Sequence, residues 1–163
     1  MEANNHFTCL SYDTIDFLIQ SKYVLFGIYL PEKVEEKFIS FENEILPHIN
    51  LAHFFEDNFL CKKKEECNVM LVMKKDDFDK TLQKKIVKYT EKEFPESGNF
   101  AISVNSDITT KLIDLSVLKL IPKGIREKQN SCGINAVAFS EAGRRQLLIS
   151  PDNLLRTFMG GLA

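Results

Sequence analysis

The residues of this chain whose types suit a metal are His48, His53, Cys61 and Cys67. Imidazole nitrogens and thiolates are the donors that zinc takes. Their spacing, however, is H-x4-H-x7-C-x5-C, whereas structural zinc sites bring each ligand pair close together, most often as C-x2-C. Cys61 and Cys67 also flank a charged run, CKKKEEC, that reads as a solvated loop. The expectation is therefore no metal and no cofactor.

Nucleophilic chemistry has one candidate, Cys132 in the segment QNSCGINAVAFS, which faintly resembles the nucleophile segment of papain-like cysteine proteases. A thiolate nucleophile needs a histidine base. All three histidines, His6, His48 and His53, precede Cys132, while that family places its histidine downstream. A small buried thiol entering a strand is the plainer reading. Asp76, Asp77 and Asp79 could do acid–base work, but the first turn of a helix explains them through the helix dipole. Glu35-Glu36-Lys37 contains the E-x-K of nucleases without an aspartate at a preceding strand end. Lys123, Arg126, Lys128, Arg144 and Arg145 form a basic group with no interleaved aromatics, which argues against nucleic acid. The chain has no phosphate-binding glycine loop and no H-E-x-x-H. Nothing assembles a catalytic site, so the chain is expected not to be an enzyme; a small metal- or thiol-dependent enzyme is the alternative.

The frame that would position these residues has ordinary globular composition. The 163 residues are 44% hydrophobic and 27% charged, with thirteen Phe and no Trp, and the net charge is -2. This excludes wholesale disorder and gives no general attraction to nucleic acid or membranes. No run approaches the roughly 18 apolar residues of a membrane span. The first ten residues, MEANNHFTCL, lack the features of an export signal, so a cytoplasmic protein with reduced thiols is expected.

Residues 14–20 and 23–30 read as two strands joined as a hairpin through Ser21-Lys22. Propensity favours a helix over 31–46, ended by Pro47. The apolar run 68–73 reads as a buried strand. Over 76–92, Phe78, Leu82, Ile86 and Tyr89 recur at helical spacing, with Pro95 and Gly98 as stops. Residues 100–104 read as a strand and 112–120 as an extended segment. Residues 134–140 and 145–150 read as a hairpin turning at Gly143, before a short C-terminal helix bearing Leu154, Leu155 and Phe158.

Several segments, in order, resemble the CheW-like domain, the coupling module of bacterial chemotaxis systems. DFLIQSKYVLFGIYLPEKVEEKF is similar to that family's opening hairpin and the K-V-x-E-I segment after it. FENEILPHINL, residues 41–51, is similar to its L-R-G-x-x-x-P-x-x-D-L motif. AISVNSDITTKLIDL, residues 101–115, resembles its V-D-x-V-x-x-V segment, and GINAVAFSEAGRRQLLISPDNLL, residues 133–155, its closing hairpin. Glu42-Asn43 stand in place of the family's Arg-Gly, and Asn50 and Asn105 in place of its aspartates. Some twenty residues of the family pattern are missing before the second motif, and the helix near 76–92 is an insertion.

The resemblance implies a mainly β fold: two small SH3-like five-stranded barrels packed together over residues 1–163 as a single CheW-like domain. It adds an inserted amphipathic helix near 76–92 and a short C-terminal helix. Residues 31–41 then become extended, with Val34 and Phe38 inward. It also implies a non-catalytic adaptor that couples the cytoplasmic tip of a chemoreceptor to the regulatory domain of a histidine kinase, or one that serves a pilus- or gliding-type pathway. No nucleic acid and no membrane insertion are expected. The expected partner surface is built from Val34, Ile39, Phe41, Ile45 and Leu46, edged by Glu42 and Asn43.

Overall fold

The computed structural model describes residues 6–59, 61–63, 67–120, 134–140 and 142–160. Its first strand pair is β1 (His6–Ser11) and β2 (Ile15–Gln20), which turn back on each other through Tyr12–Thr14. Almost every residue of β2 is buried, because both of its faces meet apolar side chains. Such a strand must be central. It pairs with β1 on one side and in parallel with β11 (Arg145–Ile149) on the other. With β8 (Asp107–Leu112), β9 (Lys119–Leu120) and β10 (Ile134–Phe139), a six-stranded sheet forms in the order β8-β1-β2-β11-β10-β9.

A second sheet has five strands in the order β3-β6-β7-β5-β4. Its members are β3 (Phe26–Leu30), β4 (Phe38–Phe41), β5 (Glu44–Asn50), β6 (Asn68–Lys74) and β7 (Asn99–Asn105). It too contains one parallel pair, β5 with β7. The sheet curls until its two edges meet through side chains: the Phe26 and Phe41 rings lie 5.9 Å apart. Among the described residues three α-helices accompany the sheets: α1 (Phe54–Phe59), α2 (Lys80–Thr90) and α3 (Pro151–Gly160).

The alternation of side chains along each strand sorts the core into three compartments. Between the sheets, Ile15, Phe17, Ile19 and Leu147 meet Ile49, Leu71, Phe100 and Ile102, with Phe55 of α1, Leu82 and Ile86 of α2, and Leu154 and Leu155 of α3. Phe17 and Phe55 stand 4.5 Å apart at the centre of this Phe-rich layer. The opposite face of the first sheet gathers Phe7, Cys9, Leu18 and Ile113, and that of the second gathers Leu46, Met70, Val72 and Ala101.

The mainly β architecture, the helix in the middle and the helix at the end are as the resemblance implied. Residues 31–46 are not helical: an irregular stretch leads into β4 and β5. The proposed hairpin between 14–20 and 23–30 does not exist, since β2 and β3 belong to different sheets. Ser-Lys does not favour the left-handed conformations a two-residue hairpin needs. The chain instead takes a 3₁₀ turn at Ser21–Tyr23 and crosses over. The true first hairpin lies one strand earlier. The middle helix also starts later than its spacing suggests. Asp79 caps it, its Oδ1 accepting from the Leu82 N–H at 2.8 Å, while Asp76 and Asp77 sit in a preceding 3₁₀ turn. It stops at Glu91, which adopts φ 58° and donates its N–H to the Val87 carbonyl, before Pro95 or Gly98 is reached. The closing hairpin turns at Gly143, φ 79°, as expected.

Candidate functional site

Strands β4 and β5 pair with Phe41 opposite Glu44, leaving a two-residue loop of Glu42 and Asn43. Both loop residues have positive φ, 49° and 66°, as a primed hairpin turn demands. Asn tolerates this region, whereas Glu pays a steric penalty at Cβ. Glu42 and Asn43 are exposed at the tip. Behind them, the Glu44 carboxylate accepts from the Ser97 hydroxyl at 2.6 Å and fixes the hairpin to the loop before β7.

The expected patch does not form one surface. Side chains alternate across a strand, so the neighbours Ile45 and Leu46 cannot share a face. Leu46 is fully buried in the barrel interior, with Ile39 and Phe41 half-buried against the same cluster. Leu46 thus supports the hairpin from beneath and is not presented to a partner. Ile45 is 47% exposed on the outer face, and Phe38, expected inward, is 40% exposed there. The Lys92 ammonium lies 4.7 Å from the centre of the Phe38 ring. Val34, half-buried, precedes this hairpin in the irregular stretch.

That stretch is held by a polar clamp. His48 donates from Nδ1 to the Glu36 carbonyl at 2.6 Å and accepts at Nε2 from the Ser103 hydroxyl at 2.8 Å. The Lys37 carbonyl takes the His48 backbone N–H, and the Asn50 amide reaches the Val34 carbonyl at 3.3 Å. Burial pushes the His48 pKa below its ordinary value, against the pull of the Glu36 carbonyl and the Glu35 and Glu36 charges. A neutral imidazole therefore suits the site. Both His48 and Ser103 are buried, so the pair holds backbone rather than facing a substrate.

The four residues weighed as metal ligands go separate ways. His48 is in the clamp, and His53 meets Lys33 Nζ at 3.1 Å on the surface. The Cys61 thiol donates to the Phe55 carbonyl, and Cys67 contacts Asp107 Oδ1 at 3.4 Å. Among the described residues no three metal-binding side chains cluster. Burial pushes the Cys61 thiol up to about 11, assisted by the Asp13 and Glu56 charges, which makes it a poor nucleophile at neutral pH. Cys132, Lys123, Arg126 and Lys128 lie outside the described residues. Arg144, from the same basic group, turns inward: its guanidinium donates to Asp16 Oδ1 at 2.7 Å and to the Tyr12 and Asp13 carbonyls.

One feature escaped the sequence. Edge strand β3 passes beside β1 and β8, leaving a groove of about 510 Å³ lined by Leu25, Phe26, Tyr29 and Ile108, among others. Leu25, Phe26 and Tyr29 are 41%, 46% and 56% exposed. Gly27 leaves room for the Ile108 side chain as it is placed: a Cβ there would stand 2.4 Å from Ile108 Cδ1. The signal was present in the alternation of FGIYL, an edge-strand pattern, but pairing this run with 14–20 hid it. No helix of the described residues is long and apolar enough to cross a membrane.

No protein-family profile and no curated protein sequence matches the chain. Among solved structures it is similar to the scaffolding protein TtCheW from Thermoanaerobacter tengcongensis, with 11% sequence identity and a TM-score of 0.53 over 91% of this chain and 90% of that one. At that identity the likeness is one of fold: this chain adopts the CheW-like arrangement of two small, packed β-barrels.

Proposed function

We propose that this protein is a non-catalytic adaptor of a chemotaxis-type signalling system, joining a receptor to a histidine kinase through protein–protein contact. The observation that carries the reading is the fold likeness to a scaffolding protein along nearly the whole chain. The exposed apolar side chains support it, since an interface needs an apolar centre with a polar rim. Phe38 and Ile45 supply such a centre on the hairpin, and Glu42 and Asn43 supply its edge. Val34, Ile39, Phe41 and Leu46 act as its support. The protein works in the cytoplasm beside the receptor, with no cofactor.

The turn sets the partner. Glu42 offers negative charge where the family pattern has Arg, so the partner carries a complementary basic residue. Glu42→Arg should weaken binding to that partner by about 2 kcal/mol or more if the contact is desolvated, as read by titration at two salt concentrations. The reading itself is tested by tagged pull-down from the native cell. Recovery of a receptor or histidine kinase supports it. Recovery of neither, under conditions that retain other complexes, overturns it.

A further inference from the structure

Helix α2 carries lysine on three successive turns, at Lys80, Lys84 and Lys88. Residues four apart lie along one side of a helix. These three line a groove of about 410 Å³ together with Val87, Phe94, Gln83 and Glu93. All three lysines are exposed, and none forms an ion pair among the described residues. A fourth cation stands close by: Lys75 Nζ lies 5.6 Å from the centre of the Phe94 ring. Like charges four residues apart destabilise a helix. The described residues offer these three no countercharge in an ion pair, so an anion from outside is the natural complement.

The groove also has an apolar component, which decides what kind of anion fits. Val87 and Phe94 are half-buried within it, while the strongly apolar side of α2, Leu82 and Ile86, is spent on the core. A lipid surface takes a protruding apolar face, and here the exposed side of the helix carries lysines and Thr81 but no apolar side chain. Single-stranded nucleic acid takes successive aromatic platforms for its bases, and here the groove lining offers one ring, Phe94. A peptide with carboxylates around one apolar side chain meets both components. We propose that this groove docks an acidic segment of a partner protein, its apolar side chain against Val87 and Phe94 and its carboxylates on Lys80, Lys84 and Lys88. None of these residues belongs to the β4–β5 hairpin, so the inference stands independently of the adaptor reading.

The test uses the full chain and a fluorescein-labelled peptide of glutamates with a central leucine and phenylalanine, followed by anisotropy at about 50 mM salt, where the Debye length exceeds 10 Å. Saturable binding is expected. Lys80→Glu with Lys84→Glu should weaken it roughly tenfold or more, with an unchanged thermal midpoint showing that the fold is kept. Neutral Lys84→Gln should weaken it less, and Lys22→Glu should leave it unchanged. A peptide with serine in place of leucine and phenylalanine should bind more weakly. Absence of saturable binding overturns the proposal, as does binding indifferent to the lysine reversals. Tighter lysine-dependent binding of phosphatidylserine vesicles or of single-stranded DNA than of the peptide also overturns it, in favour of a membrane or nucleic-acid surface.

Discussion

In the six-stranded sheet the buried polar anchor is charged, and in the five-stranded sheet it is neutral. Asp16 shares the interior face of β2 with Leu18 and is only 1% exposed. Arg144 holds it at 2.7 Å, Lys111 at 3.5 Å and Gln146 at 3.4 Å, which ties β8 and the end of the closing hairpin to the central strand. His48 shares the interior face of β5 with Leu46, and its partners are a carbonyl and a hydroxyl. The difference follows from what each anchor must fasten. Asp16 joins three strands whose backbones are already paired, so side chains must come to it. His48 fastens an irregular stretch whose free carbonyls need donors, and a neutral ring can both donate and accept.

The largest expected effect breaks the charged anchor. Arg144→Ala leaves Asp16 buried with only Lys111 as a cation and frees the Tyr12 and Asp13 carbonyls, so urea unfolding should show a loss of about 3 kcal/mol. Asp16→Asn together with Arg144→Met should lose less than Arg144→Ala alone, because no unpaired charge remains. Equal losses would show that the charge is not what matters. The neutral anchor should yield less: His48→Ala leaves the Glu36 carbonyl without its imidazole donor and the Ser103 hydroxyl with only the long contact to Asn50 Oδ1 at 3.5 Å, and should cost about 1–3 kcal/mol.

Acid separates the two anchors by pH. The folded-state pKa of His48 is lowered by burial, so the unfolded chain binds the proton first. Its contribution is full above about pH 6.5 and is lost as pH falls through the lower folded value. For Asp16, burial alone would raise the pKa, but the Arg144 hydrogen bond and charge, with Lys111 and Gln146, outweigh it and hold the carboxyl low. Its contribution is present above about pH 3.9 and is lost only as pH falls through the still lower folded value. Thermal midpoints between pH 7 and 5 should therefore fall in the wild type and fall less in His48→Gln. A slope unchanged by that substitution would assign the loss to other groups.

The smallest effects lie at the hairpin tip. Asn43→Gly should stabilise by about 0.5 kcal/mol, because glycine takes positive φ without strain. Ile45→Asp, on the exposed face, should change stability by no more than about 0.5 kcal/mol while abolishing partner binding. A large loss of stability there would mean that Ile45 is packed rather than presented.

Much of this frame was legible where one periodicity ruled. NVMLVM reads as a buried strand, and the recurrence of Phe78, Leu82, Ile86 and Tyr89 reads as a helix. The fourfold lysine spacing was visible too, but nothing in the sequence says that Phe94 returns beside it to make a groove. Residues 31–46 misled local reasoning because EKVEEKF favours a helix, while Leu46 and Ile39 are claimed by a barrel interior formed with Met70 and Ala101. The expected contact surface is divided for a simpler reason: it includes both Ile45 and Leu46, and a strand sends consecutive side chains to opposite faces. The hairpin from 14 to 30 failed because β2 chooses β11, a partner 125 or more residues away that no local pattern announces.

That pairing of β2 with β11 also gives the protein a birth order. Ribosomes add about 5–20 residues each second. The five-stranded sheet needs nothing beyond Asn105 and can close while synthesis continues. The six-stranded sheet must wait for Arg145–Ile149, seconds later, and until then one side of β2 is an open edge on the nascent chain. A strand this apolar, left unpaired for that interval, is the segment from which misassembly on the polysome would start.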